Sequence, residues 1–330
     1  MMKPVSVPPV FLAILLALAF SFASCDQHQK TWYLWTSFIE SADGRDGLHL
    51  AVSPDGMNWR MVKNDSSVFK QEKWIMRDPA IARDPSGSYH TVWTTAWNTS
   101  ETKSIGYARS KDLIHWEKEK IIPVMENEPE TENVWAPEIF WDKREKDWII
   151  TWSSTVRGKF QETAHIYGDK ANGRVYFMRT RDFETFTPSA LLFDAGCLAI
   201  DQTYYQPNDS TYYIFFKADR DTGLTKTAKP ERGILCVKGS SPTGPFALVP
   251  GRVNNWSEKD EDGRIEGPTI VKIGKEYVMY YGASDYSGAY KSSDLRSWVR
   301  ITDNMMAPKR YMHGTVIEIS EDEARRLLAL

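Results

Sequence analysis

The chain has 330 residues, 42% of them hydrophobic and 26% charged, with a formal net charge of −3. That composition excludes a disordered, collagenous or multi-span membrane protein, and without a basic tract to follow a phosphate backbone, nucleic acid is not an expected partner. The 13 Trp, 15 Tyr and 14 Phe point instead to many short strands with surfaces suited to sugars.

The N-terminus reads as an export signal. Lys3 precedes an apolar run from Val10 to Phe22 that is too short for a comfortable membrane span. The run ends at Phe22-Ala23-Ser24-Cys25, which resembles a bacterial lipobox with Cys25 as the lipidated first residue; cleavage without lipidation is the alternative. Residues 1–24 are thus expected to be a signal peptide and 25–30 a short linker. The protein is expected to be an exported bacterial lipoprotein, in the periplasm or at the cell surface, that meets the membrane only through this anchor. Cys197 and Cys236, the two remaining cysteines, either pair or are simply buried.

From Trp32 onward the chain repeats with a period of roughly 50 to 70 residues. Ser53-Pro-Asp55 followed by Trp59 returns as Ser110-Lys-Asp112 with Trp116, as Thr180-Arg-Asp182 with Phe186, and as Ser292-Ser-Asp294 with Trp298. Lys238 to Phe246 is a degenerate fifth copy. A Ser-x-Asp segment after a strand is a hydrogen-bonding turn, and the aromatic residue four positions past the Asp opens the next strand and packs between sheets.

Ahead of four copies lie a short apolar strand, a polar turn and a strongly aromatic strand, as in Asp78 to Ala82 with Tyr89 to Thr95. Each unit therefore holds about four antiparallel strands, the content of one propeller blade. The first copy lacks its leading strand, whereas His313 to Ile319 is a strand with no blade of its own. Pairing the two closes a ring and removes the open edges. The expected fold is an all-β five-bladed β-propeller over residues 31–320, with one blade closed by the N- and C-terminal strands. A sandwich would have no reason to repeat one turn five times. Residues 321–330 form a short helical cap.

In a propeller the leading strand of each blade lines the central channel, so functional groups are sought where those strands begin. The five starts carry Arg77-Asp78-Pro79, Trp135-Ala136-Pro137-Glu138, Ile200-Asp201-Gln202, Ile265-Glu266-Gly267-Pro268 and Met312-His313-Gly314. Each carboxylate alone has a turn-forming explanation. Four that converge on one mouth repel each other, an arrangement that a fold with no use for them should avoid. Glycoside hydrolysis by inversion uses it: one carboxylate activates water, a carboxylic acid protonates the leaving oxygen, and a third carboxylate near the acid holds its proton and its position.

At these residues the sequence resembles glycoside hydrolase family 43, from roughly Trp32 to Ile319. Asp78-Pro79-Ala80-Ile81 resembles the family's base strand, Ile200-Asp201-Gln202-Thr203 the strand of the residue that tunes the acid, and Glu266-Gly267-Pro268 the acid strand. The resemblance implies Asp78 as general base, Asp201 as modulator and Glu266 as general acid. It also gives Glu138, from a strand similar to the family's Trp-Ala-Pro-Asp, one of two roles, contact with the sugar or a share in the modulating role. Arg77, Trp97, Trp135 and Arg310 are further expected sugar contacts, the Trps as platforms and the Args as donors. His313, in a segment similar to the family's Arg-His-Gly-Thr, either is satisfied by neighbours or helps hold a structural Ca²⁺ in the channel; no cofactor is required for catalysis.

The implied activity is exo-acting, inverting release of arabinofuranosyl, xylosyl or galactosyl residues from a plant or host oligosaccharide or polysaccharide. Two alternatives stay open: a glycan-binding propeller lipoprotein without catalysis, and, because Arg77-Asp78-Pro79 also resembles the invertase-like families, a retaining glycosidase or transglycosylase.

Overall fold

The computed structural model describes residues 30–98, 102–163, 172–220, 231–251, 253, 265–283 and 286–330. Twenty strands form five four-stranded antiparallel sheets. In chain order the first sheet holds β1 (Thr31–Ser37), β2 (His49–Ser53) and β3 (Arg60–Met61), with β20 (Val316–Ser320) on its inner side. The second is β4 (Arg77–Arg83) to β7 (Trp116–Pro123), with β5 (Tyr89–Thr94) and β6 (Ser104–Ser110) between them. The third runs from β8 (Trp135–Asp142) through β9 (Asp147–Ser154) and β10 (Arg174–Thr180) to β11 (Ala190–Phe193). The fourth runs from β12 (Leu198–Asn208) through β13 (Thr211–Arg220) and β14 (Glu231–Gly239) to β15 (Phe246–Leu248). The fifth runs from β16 (Glu266–Ile273) through β17 (Glu276–Ala283) and β18 (Tyr286–Ser292) to β19 (Val299–Arg300). This is the five-bladed propeller expected from the repeat. The ring closes as anticipated, with β20 antiparallel to β1 in the register Thr31↔Ser320 to Trp35↔Val316. The inner strand of that blade begins three residues beyond His313, so His313 lies on the segment leading into it.

Alternation along each strand explains the aromatic composition. Successive side chains face opposite sides of a sheet, and here both sides meet another blade. On β1, Trp32 and Leu34 join the core between the first and second blades, whereas Tyr33 and Trp35 join the core between the first and fifth. Three further clusters fill the remaining interfaces. Large flat side chains suit these wedges: Trp35 lies 5.1 Å from the rings of both Trp59 and Tyr280, and such pairs add about 0.5–1.5 kcal/mol each beyond area burial. Cys197 and Cys236 are buried thiols that form no disulfide.

The repeated motif is the β2–β3 type of turn, and four copies share one geometry. The hydroxyls of Ser53, Ser110, Thr180 and Ser292 each accept the N–H three residues on, at 2.9 Å in every case. Asp55, Asp112, Asp182 and Asp294 accept the N–H groups two and three residues beyond themselves. The residue after each Asp, namely Gly56, Leu113, Phe183 or Leu295, has positive φ, a conformation that costs a non-glycine residue about 1 kcal/mol or more. The side-chain bonds hold it there. Phe186 departs from the expectation that the motif's aromatic opens a strand, because β11 begins four residues later.

The C-terminal helix, α1 (Glu321–Leu328), starts at Ser320 with a reciprocal capping box to Glu323. Ala324 and Leu327 are buried in the core between the first two blades, and Glu323 accepts a hydrogen bond from Tyr89 at 2.7 Å. The helix therefore seals the seam of the ring as well as capping the last strand. The signal peptide, lipobox and most of the 25–30 linker lie outside the described residues.

Candidate active site

Four inner strands carry the same irregularity at their starts. Register slips between Arg77 and Ala80, Trp135 and Glu138, Ile200 and Thr203, and Glu266 and Thr269. The residue next after the first of each pair is left-handed: Asp78 (φ 51°), Ala136 (47°), Asp201 (54°) and Gly267 (59°). A bulge of this kind bends the strand and re-aims a side chain, here at one mouth of the channel. Arg77, Trp135, Ile200 and Glu266 are thus equivalent positions, Asp78 and Asp201 occupy the next one, and Glu138 lies two residues further along its strand.

The bulged residues surround a cavity of about 230 Å³ lined by Arg77, Asp78, Trp135, Ile200, Asp201 and Glu266, with Phe38, Thr94, Trp97, Met312 and His313 completing the wall. All three carboxylates assigned by resemblance to chemistry meet there. Asp78 Oδ2 accepts from Thr94 Oγ1 at 2.8 Å, and Thr94 Oγ1 itself accepts from the Ala136 N–H at 2.8 Å. Because that N–H occupies a hydroxyl lone pair, the Thr94 proton is directed at the carboxylate. Asp201 Oδ2 accepts the N–H of Gly267, the peptide next to Glu266, at 3.1 Å. Asp201 therefore fixes the backbone that carries Glu266. On Glu266, Oε2 accepts from Lys217 at 2.5 Å.

His313 is buried at the centre, its Nδ1 3.7 Å from Asp78 Oδ1 and 3.8 Å from Asp201 Oδ1. That nitrogen has no hydrogen-bond partner among the described residues. Gly267 makes room for it, since a Cβ there would stand 2.7 Å from His313 Cβ and Cγ, and its positive φ also favours glycine. Calcium takes six to eight oxygen ligands, and no group of three or more His, Cys, Asp or Glu suited to a metal occurs among the described residues.

Other expected contacts fall differently. Trp97 is 48% exposed at the rim, and Trp135 Nε1 donates to the Trp97 carbonyl at 3.0 Å. The Arg77 guanidinium lies 4.3 Å from the Phe38 ring and 4.1 Å from the Trp97 ring, and Nη1 donates to Glu40 at 2.6 Å. It braces the platform as well as lining the pocket. Glu138 does not line the cavity: at 6% exposure it is buried two residues beyond the bulge, and burial pushes its carboxyl up to about 7 against the opposing pull of His313 and hydrogen bonds from the Ile139 N–H and Thr203. Of the two roles expected from the sequence, a direct sugar contact does not fit that position. Arg310 is exposed and also outside the cavity lining.

Sequence reasoning missed Thr94, Phe38 and Lys217, which sit on β5, after β1 and on β13. The signal for Thr94 was faint, a threonine closing an aromatic strand one hairpin away from Asp78. Gln202, next to Asp201, is fully buried and donates to the Ala136 carbonyl at 2.9 Å, tying the third blade to the fourth.

A family model described as a probable glycosyl hydrolase domain, related to family 43, matches residues 29–325. An α-L-arabinofuranosidase of Bifidobacterium longum is 23% identical over 271 residues, covering 74% of this chain; the chain spans about a quarter of that relative's length. Among solved structures, an α-L-arabinofuranosidase from Lactobacillus brevis matches at a TM-score of 0.52 and 16% identity, over 69% of this chain and 72% of that one. Another from Fusarium graminearum, holding an iminosugar inhibitor, matches at 0.53 and 14% identity over 82% and 77%. At these identities the structural matches establish the fold. The match over almost the whole described chain, on a propeller whose mouth gathers Asp78, Asp201 and Glu266, places this protein in the family of glycosyl hydrolases related to family 43.

Proposed function

We propose that the protein is an exo-acting, inverting glycosidase that removes single arabinofuranosyl, xylosyl or galactosyl units from a glycan. The observation that carries this reading is the convergence of Asp78, Asp201 and Glu266 on one small cavity. At about 230 Å³ it is below the range that drug-sized ligands occupy, which suits one terminal sugar and therefore exo action. In this reading Asp78, oriented by Thr94, takes the proton from water, and Glu266 protonates the leaving oxygen from the opposite side of the ring. Asp201 keeps the Glu266 backbone in place through the Gly267 N–H, and Trp97 and Trp135 present apolar surface to the sugar.

The test is hydrolysis of arabinofuranosides, xylosides and galactosides, natural oligosaccharides included, by the protein and its Glu266→Gln variant. Activity on one sugar that the variant loses supports the assignment; undiminished activity in the variant overturns it. Proton NMR of the first-formed anomer decides the stereochemistry, and a retained anomer would favour the invertase-like alternative. No turnover with retained affinity would favour the glycan-binding module.

Export as a lipoprotein through Cys25 belongs to the same proposal. Thr31 pairs with Ser320, at the end of β20 away from His313, so the chain enters on the face opposite the cavity. An anchor on that side leaves the mouth turned outward, toward polymeric substrate. Detergent partitioning that Cys25→Ala abolishes is the expected result.

A further inference from the structure

A cavity larger than the catalytic one lies elsewhere on the propeller. A cleft of about 1080 Å³ opens where β4 and β8 end, on the face opposite the pocket. β4 begins at the catalytic mouth and ends at the cleft about 20 Å away, given 3.3 Å per residue. The cleft crosses its blade from Arg83 on the innermost strand through Tyr107 and Arg109 on β6 to Lys118 and Lys120 on the outermost. That is about 14 Å across four strands, long enough for an extended ligand.

Its electrostatics depart from those of the whole chain, which carries a net charge of −3. The carboxylates at the cleft are already engaged. Asp84 accepts from Ser86, the Ser88 N–H and His90. Asp182 is used by the N–H groups of its own turn, and Glu184 pairs with Lys120. Arg83 and Arg109 are likewise paired, with Glu323 and Glu117. Four exposed cations remain, Lys118, Lys143, Lys146 and Arg181, for which no ion pair forms among the described residues. Between them the half-buried Trp141 is the one partly open ring; it meets Trp148 edge to face at 5.0 Å, and behind it Tyr107 and Phe183, stacked at 4.0 Å, are buried with Trp148.

A partly open Trp141 among unpaired cations matches the chemistry of an acidic sugar, which offers a CH-rich ring face and a carboxylate on the same unit. A concave, aromatic-lined cleft fits a chain of such units better than a flat anionic lipid surface. We propose that this cleft is a second glycan-binding site, separate from the catalytic pocket, that holds an acidic polysaccharide segment bearing uronate carboxylates. Its assignment does not depend on which bond the catalytic pocket cleaves.

The test is calorimetric titration of the Glu266→Gln protein with a short oligogalacturonate, a neutral arabino-oligosaccharide of equal length, and phosphatidylglycerol vesicles. Oligogalacturonate should bind, at least tenfold more tightly than the neutral chain, and weaken as salt is raised. Replacing Lys143, Lys146 and Arg181 together with Ser should weaken it by about tenfold or more, because three exposed charge contacts are lost at once. In the wild-type background the same triple variant should keep its turnover of small neutral glycosides and its melting temperature. Lys143→Glu, a single exposed change, is the check should the triple variant be poorly folded. Absence of oligogalacturonate binding, binding untouched by these substitutions, or binding of the vesicles in its place would each overturn the proposal.

Discussion

Thr94→Val isolates the orientation of the proposed base without touching the base. The hydroxyl accepts from the Ala136 N–H and donates to Asp78 Oδ2, both at 2.8 Å, and valine keeps the volume while deleting both bonds. A hydrogen bond to a charged group contributes about 1.5–3 kcal/mol. If that interaction is needed for the productive position of the carboxylate, its loss lowers kcat by about 10- to 150-fold at 1.36 kcal/mol per decade. The Ala136 N–H loses its acceptor in a buried strand, which costs about 1–3 kcal/mol of stability. Thr94→Ser restores both bonds and should recover most of the rate. The assay is steady-state hydrolysis of whichever glycoside the protein turns over, with thermal melting of both variants alongside. A folded Thr94→Val protein with wild-type kcat would refute the reasoning, as would a serine variant as impaired as the valine one.

Three further expectations follow from the same geometry. Gly267→Ala forces an L side chain into φ 59° and brings its Cβ to 2.7 Å from His313, so kcat should fall at least tenfold while circular dichroism stays that of a β protein; full activity would show that the close approach is dispensable. Burial raises the Glu138 carboxyl from 4.5 to about 7, so the folded state holds a proton that the unfolded chain has released, and stability from this group falls as pH rises from about 4.5 to about 7. Glu138→Gln removes that dependence, so the melting temperature of the variant relative to wild type should climb across this window; a flat difference would contradict the assignment. Asp182 and Asp294 are lowered from 3.8 to about 2 by the N–H groups of Thr185 and Glu184 and of Ser297 and Arg296. Their stabilisation is fully present above pH 3.8 and is lost as pH falls toward 2, so Asp294→Ala should flatten the acid limb of the unfolding curve, and an unchanged limb would argue against the turn as a stabilising device.

How much of this was legible in the sequence depends on the range of the interaction. The blades were readable because each is local: strand, turn and strand lie within about sixty residues, and Ser-x-Asp or Thr-x-Asp followed by an aromatic marks every turn but the degenerate one. Ring closure was also readable, since a missing strand at one end and a spare one at the other admit a single pairing that leaves no edge. Asp78, Asp201 and Glu266, which one cavity brings together, were legible as candidates because each lies near the start of an inner strand and stands in a motif similar to that of a known family.

What the tertiary structure alone decided is direction and partnership. A one-residue bulge at four strand starts determines that position 78 faces the cavity while position 138 is buried beyond it, and no pattern of residue types marks that slip. Thr94 reaches Asp78 across a hairpin, Lys217 reaches Glu266 from the neighbouring blade, and Arg77 is claimed by Glu40, Phe38 and Trp97. These contacts join residues from 16 to 49 positions apart. The basic cleft likewise exists only where two blades meet, because its charge depends on which carboxylates the turns and neighbouring cations have already engaged. Local sequence determines a blade through short-range hydrogen bonds and side-chain alternation, whereas the chemistry of the mouth is set by how five blades are turned toward one axis.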